Sequence, residues 1–342
     1  MKILLDAMGG DNAPKSTVQG AADAVKEFGD GMTLALLGDE AKIKAAAQEL
    51  GVDLTPFELI HCTEDVDMHD DPVKAVRHKT DSSLVKGLTM LKNGEADAFV
   101  SAGSTGALHV GTSLIVRTVK GVKRPALATP MPGAKQNFLL LDCGANVECR
   151  PEMLAAFAVM GSCYVNKVEG RTSPSVALAN NGAEESKGDT LRRETYQKLK
   201  EAGEAGHLNF TGNIEAKEAM LGECDVIVAD GYSGNIMLKS IEGTGKLLSI
   251  KLKEMLMHST GTKLAALLLK GQLGDFKKML DANEVGGTAL LGISKPVVKA
   301  HGSASEVGIC NAVRQAMEVA RSGIIDDIAQ NIDKMRIEQK AE

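Results

Sequence analysis

The sequence predicts an α/β fold, an α/β/α sandwich around a mostly parallel sheet. Three observations predict it: short apolar runs alternate with helical patterns along the chain, glycine is frequent, and aromatic residues are scarce. Strands that bracket helices need crossover connections, which make the sheet parallel and cover both of its faces. The expected strands in the first part of the chain are 3–5, 33–37, 58–61, 98–101 and 138–142. In the second part they are 175–179, 208–210, 226–229 and 297–301, the last leading into a helix over 305–321. The 36 glycines fit many tight strand-to-helix turns. With no Trp and 3% aromatic residues, the core must be aliphatic.

At 342 residues the chain exceeds one minimal domain, so two closely fused lobes are expected, 1–150 and 151–342, without a Pro- or Ser-rich tether. A net charge of −6 and the lack of aromatic stacking platforms argue against nucleic acid as a partner. The six cysteines form no CxxC pair and have no histidines at zinc-finger spacing, so reduced thiols and no metal site are expected. The apolar run before Asp6 is too brief for a signal sequence or a membrane span, which points to the cytoplasm. The charged run 333–342 reads as an exposed, frayed helix.

Residues 246–281 differ from the rest. Seven lysines between 246 and 280, Lys263 and Lys270 among them, stand against Glu254 and Asp275, a local charge of about +5 in an acidic protein. Leu256, Leu264, Leu267 and Leu268 are interleaved with them. The pattern predicts a protruding, amphipathic helical hairpin broken at Ser259-Thr260-Gly261. A dimerisation arm and a surface for anionic lipid or an acidic partner are both compatible with it.

Candidate chemistry lies at strand ends, where loops meet helix N-termini. After the strand 98–101, a loop of Gly, Ser and Thr leads into a helix expected to begin near Thr105. Ser101, Gly103, Ser104, Thr105 and Gly106 would direct backbone N–H groups and hydroxyls at one spot, which suits phosphate. The plainer alternative is a tight turn capped by Ser104. Similar ends occur at Asp142-Cys143-Gly144-Ala145-Asn146, across 180–188, and at Asp230-Gly231-Tyr232-Ser233-Gly234-Asn235. Several polar, glycine-rich strand ends predict one cleft. Lys187 is a candidate oxyanion partner or a solvated surface lysine, and His301 closes another strand as a structural or catalytic residue. Asp6 and Asp11, around Gly9-Gly10, read as capping and loop geometry.

Those motifs, with Asp6-Ala7-Met8-Gly9-Gly10-Asp11, Asn181-Gly182-Ala183-Glu184 and Asn209-Phe210-Thr211-Gly212-Asn213-Ile214-Glu215, occur here in a family's order. Together they resemble the acyl-carrier-protein:phosphate acyltransferase family over nearly the whole chain. The resemblance implies a fold like isocitrate and isopropylmalate dehydrogenases and phosphate acetyltransferases, in a homodimer without a cofactor. It implies synthesis of acyl phosphate from long-chain acyl-carrier protein and inorganic phosphate, the first step toward phosphatidic acid. It further implies peripheral membrane association and a membrane glycerol-3-phosphate acyltransferase as consumer of the product. Ser104 departs from the family, which usually carries Asn there.

Phosphate is itself a competent nucleophile, so no Ser or Cys nucleophile with a His base is required, and the cysteines should be dispensable. In the expected scheme the 101–106 loop holds phosphate, Lys187 and Asn235 stabilise the tetrahedral oxyanion, and Asn146 orients the thioester. His301 lines the cleft or protonates the departing thiolate. The rival readings are a coenzyme-A-dependent phosphate acetyl- or butyryltransferase, a metal- and nicotinamide-dependent dehydrogenase, and a non-catalytic membrane-docking protein.

Overall fold

The computed structural model describes residues 1–335. The chain begins β1 (Lys2–Asp6), α1 (Lys15–Phe28), β2 (Thr33–Gly38), α2 (Glu40–Leu50), β3 (Phe57–His61), α3 (Pro72–His78), α4 (Ser83–Asn93), β4 (Ala98–Ser101) and α5 (Thr105–Gly111). It continues through β5 (Ala126–Met131), β6 (Phe138–Leu141), α6 (Pro151–Lys167), β7 (Ser175–Ala179), α7 (Thr190–Glu204), β8 (Asn209–Ile214), α8 (Ala216–Met220) and β9 (Val226–Val228). The remainder is α9 (Gly231–Leu256), α10 (Thr260–Leu268), α11 (Lys270–Leu280), α12 (Ala282–Val285), β10 (Thr288–Leu291), β11 (Val297–Lys299), α13 (Glu306–Arg321) and α14 (Ile324–Asn331).

The strands form one eleven-stranded sheet in the order β3-β2-β1-β4-β11-β10-β5-β6-β9-β7-β8. The block β3 to β11 is parallel within itself, as is the block β6 to β8. Between them β10 and β5 pair antiparallel with their neighbours, so the two blocks run in opposite directions. The mostly parallel α/β architecture expected from the sequence is present, but β5 and β10 are not among the expected strands. Thr129 and Pro130 interrupt the apolar run of β5, and β10 is four residues long behind Gly286-Gly287. Position 150 falls between β6 and α6, and the sheet is continuous there; β10 and β11 return to lie between β4 and β5.

Side-chain alternation sorts the core into two layers. Leu4, Phe99, Leu127, Leu290 and Val297 face one layer across five neighbouring strands. Ile3, Leu5, Val100 and Val298 face the opposite side, under α1 and α13, and Ala128, Leu139 and Leu291 continue that side under α6. Local signals set the helix ends: Asp39 caps α2, Ser82 caps α4, and Asp230 caps α9 by accepting from Tyr232 N (3.1 Å) and Ser233 N (2.9 Å).

The hairpin is longer than expected, because α9 starts at Gly231 and continues without a break to Leu256. Ser259 and Thr262 form a capping box at the start of α10, where the sequence placed the turn. Neither α10 nor α11 buries a residue. Leu264, Leu267 and Leu268 are 61%, 66% and 78% exposed, and Lys263 and Lys270 are exposed beside them, whereas Leu256 at the end of α9 is half-buried. The apolar stripe expected of an amphipathic hairpin is therefore present on α10, without a partner among the described residues. Among the described residues, no helix is long and apolar enough to cross a membrane. Beyond residue 335, the expected helix over 333–342 lies outside the described residues.

Candidate active site

Five adjacent strands carry a polar residue on the face that elsewhere carries the first apolar layer. They are Asp6 on β1, Ser101 on β4, Lys299 on β11, Thr288 on β10 and Thr129 on β5. The period of two puts Asp6 in line with Leu4, Ser101 with Phe99 and Lys299 with Val297, so each replaces a core side chain. Ser101 lies opposite Lys299, and Lys299 opposite Thr288. The row is internally bonded: Ser101 Oγ donates to Asp6 Oδ2 (2.7 Å), and the hydroxyls of Thr129 and Thr288 share a bond of 2.9 Å. Gly9 lets this packing form, since a Cβ there would sit 2.6 Å from both Asp6 Oδ2 and Gly103 N.

Lys299 is only 8% exposed. Its ammonium donates to Ala102 O (3.2 Å) and to Ala300 O. Burial lowers its pKa to about 8, against the attraction of Asp6 and Asp11 and with the repulsion of Lys239. Burial likewise raises Asp6 above the ordinary carboxylate range.

Above the row lies a cavity of about 390 Å³, roofed by α9. Lys299, Thr288, Thr129, Thr105 and His301 line it on one side, with Asn235, Lys239 and Glu242 on α9. Lys239 Nζ bonds His301 Nε2 (3.2 Å) and Glu242 Oε2 (2.7 Å). Ser303 N donates to His301 Nδ1 (3.2 Å), which also lies 2.9 Å from Ser303 Oγ, and a ring nitrogen that accepts belongs to a neutral imidazole. Burial, then Lys239, lowers the His301 pKa, in agreement with that neutral form. Gly144, at φ 125°, lets the Asp142 loop pass Asn235, whose Oδ1 lies 3.6 Å from where a Cβ would be. Two ammonium groups, three hydroxyls and an amide thus face one space, an arrangement suited to an oxyanion beside a polarised carbonyl. Among the described residues, no cluster of three His, Cys, Asp or Glu side chains is placed to hold a metal.

The sequence model of the family described as "Fatty acid synthesis protein" matches residues 1–327. The chain belongs to this family. A member from Clostridioides difficile (strain 630), named phosphate acyltransferase, is 43% identical over 341 residues, covering 99% of this chain and 98% of that one. One from Geobacillus sp. (strain WCH70), with the same name, is 45% identical over 338 residues, covering 98% and 99%. Among solved structures, EutD phosphotransacetylase from Staphylococcus aureus has a TM-score of 0.58 at 20% identity, covering 97% of this chain and 94% of that one. A branched-chain phosphotransacylase from Enterococcus faecalis V583 has a TM-score of 0.58 at 16% identity, covering 94% and 100%. These two likenesses show the fold.

The motifs that link the chain to this family do not all meet in the cavity. Thr105, Asn235 and His301 line it. Ser101 and Gly103 lie buried behind it, where Gly103 N donates to Ser101 Oγ (3.0 Å), and Ser104 Oγ caps Ala107 N (3.4 Å). Gly106 is exposed and packs toward Pro72. Asn146 is buried outside the cavity. Its amide donates to Pro125 O (2.8 Å) and Asp142 Oδ2 (3.0 Å), and its carbonyl accepts from Gly231 N (2.7 Å), which fastens the loop to α9. Lys187 is exposed in the loop before α7 and does not line the cavity. That loop borders a second cavity, of about 630 Å³.

Lys299, Lys239, Thr129 and Thr288 are site residues that the sequence reading does not single out. The available signal is Lys299, a charge at a core-facing position directly after Val297-Val298. Cys143 also lines the cavity, but burial pushes its thiol up to about 12 and its Sγ donates to Leu140 O (3.3 Å), which leaves no thiolate to react.

Proposed function

We propose that the chain is a phosphate acyltransferase, moving a fatty acyl group from a thioester to inorganic phosphate. The observation that carries this reading is the bonded polar row beneath Lys239, two cations and three hydroxyls in a cavity whose cysteine is unreactive. Phosphate sits against Lys299, Thr129, Thr288 and Thr105, and the thioester carbonyl enters beside Asn235 and Lys239. A phosphate oxygen attacks the carbonyl carbon, and the tetrahedral oxyanion is met by donors already in position. Collapse breaks the C–S bond and the thiolate leaves with the electron pair. The proton that hydrogen phosphate carried ends on the thiol, by way of the Lys239–His301 pair, so the products are acyl phosphate and free thiol with no net change of charge. Of the residues expected to take part directly, Lys187 stays outside the cavity in this scheme and Asn146 acts through the loop that holds α9.

The donor we propose is long-chain acyl-carrier protein, and the product feeds a membrane glycerol-3-phosphate acyltransferase on the way to phosphatidic acid. The unpartnered leucines of α10, Leu264 and Leu267 among them, and the lysines of α10 and α11 fit a homodimer contact and attachment to an anionic membrane surface from the cytoplasm. Purified protein, phosphate and acyl-carrier protein charged with a long chain provide the test. Thiol release that requires phosphate, with a hydroxylamine-trappable product, is the expected result. Release without phosphate, or activity with acetyl-coenzyme A alone, would overturn the respective part.

A further inference from the structure

The second cavity opens on the same face of the sheet as the first, across α9 from it. Its floor continues the apolar layer: Ile214, Ala219 and Ile227 belong to that cluster, and Met237 and Ile241 pack against it. Most of its polar groups, Asn180, Asn181, Asp189, Arg192 and Ser233, lie where α7 and α9 begin, while Glu215 before α8 and Ser240 on α9 stand elsewhere on the lining. Among the described residues that line it, the one cationic side chain is Arg192, already committed to Asp230, to Asp189 Oδ2 (2.9 Å) and to Ser233 Oγ (2.8 Å). A polar or anionic ligand would therefore find little on the floor, whereas a hydrocarbon would be taken out of water. Ile241 of α9 lines both cavities, and the neighbours Asn235 and Ile236 face opposite ones, so α9 is the wall between them.

We propose that this second cavity holds the distal part of the donor's fatty acyl chain while the thioester carbonyl lies beside Asn235. The inference rests on the acyltransferase reading and adds to it the place of the tail and the origin of chain-length preference. From Asn235 the chain crosses α9 over Tyr232 and Ile236, both exposed apolar side chains. A helix is about 10 Å wide and a staggered alkyl chain advances about 1.3 Å per carbon, so about eight carbons make the crossing. Carbons beyond these enter the cavity, and each one buried there should tighten binding by about fourfold. Octanoyl donors thus end at its mouth, and palmitoyl donors fill it.

The chain contains no tryptophan, so Ser240→Trp, on the wall of the second cavity, supplies a single emitting reporter. Titration of that protein with hexadecyl phosphonate should shift its emission to the blue, whereas octyl phosphonate should not. In a second arm, Ala216→Phe narrows the cavity from an exposed position. It should lower kcat/KM for a palmitoyl donor by about tenfold or more, the loss of two or more buried methylenes, with the octanoyl donor and the phosphate KM unchanged. Equal effects on both donors, or an unmoved emission with hexadecyl phosphonate, would overturn the proposal. So would a chain-length profile that responds to Met131→Phe in the first cavity and ignores Ala216→Phe. If no thioester supports phosphate-dependent thiol release, the acyltransferase reading has failed, and the emission titration still reports on the cavity separately.

Discussion

Replacing Lys299 with Met should separate stability from activity. An ordinary lysine titrates near 10.5, and burial brings Lys299 to about 8. At about 1.4 kcal/mol for each pH unit, holding that ammonium in the fold costs about 3 kcal/mol wherever it is charged in both states. The folded pKa lies below the unfolded one, so the cost is fully present below pH 8. It is lifted as pH rises from about 8 to 10.5, where the unfolded lysine also loses its proton. Met lacks the ammonium and the bonds to Ala102 O and Ala300 O, and loss of those bonds offsets part of the gain at pH 7. The offset does not depend on pH. Urea unfolding of both proteins from pH 7 to 10.5 should therefore show the wild type gaining about 3 kcal/mol relative to Lys299→Met across that interval. At pH 7, where Lys299 is charged, the variant should show a kcat/KM for phosphate about a hundredfold or more below that of the wild type. A stability difference that stays flat with pH would refute the burial argument, and a fully active variant would remove Lys299 from the site.

The same geometry sets the outcome of four other perturbations. The kcat/KM for phosphate in the wild type should decline above about pH 8 as Lys299 loses its proton, and Lys299→Arg, charged throughout, should abolish that limb in a pH–rate series. Lys239→Ala should lower kcat by about a hundredfold or more, whereas Lys187→Ala, exposed and outside the cavity lining, should change it less than about threefold; steady-state thiol release compares them. Asn146→Ala leaves the Pro125 carbonyl without its side-chain donor and removes one bond to Asp142, which keeps those from Leu127 N, Ala145 N and the backbone N of residue 146, and should cost about 1–3 kcal/mol in denaturant unfolding. Changing Leu267 and Leu268 to Glu should abolish sedimentation with anionic vesicles while thiol release from a soluble donor persists.

The architecture is legible in the sequence because most strands are clean apolar runs between glycine-rich turns. The two strands that escape notice, β5 and β10, carry Thr129 and Thr288. Thr129, with Pro130, breaks the apolar run of β5, and Thr288 opens a β10 only four residues long behind two glycines, so the strands that carry the chemistry are the ones the pattern hides. Lys299 is masked in a similar way: the run 297–301 reads as a strand ending at His301, and the lysine within it is easily passed over, although a charge on a core-facing position is costly enough to demand a reason. Glycine-rich loops draw attention to 101–106 and 180–188. Such composition reports a tight turn, and whether the turn faces a cavity depends on strand order and direction. Asn146 illustrates the limit, since an amide beside Asp142 reads alike whether it meets a ligand or ties a loop. Lys239 sits in the third turn of a helix, where only the placement of α9 across the cavity from His301 brings the two side chains together. The hairpin was easier, since Leu264, Leu267 and Leu268 recur at helical spacing among lysines and need no tertiary context to mark an amphipathic helix.

The central claim is that phosphate rests on the polar row of the sheet. The Thr129→Val, Thr288→Val double variant tests it most directly, because it removes two hydroxyls bonded to each other and keeps the side-chain shape. The phosphate KM measured by thiol release should rise by about tenfold or more, with the donor KM unchanged. A phosphate KM equal to that of the wild type would contradict the placement.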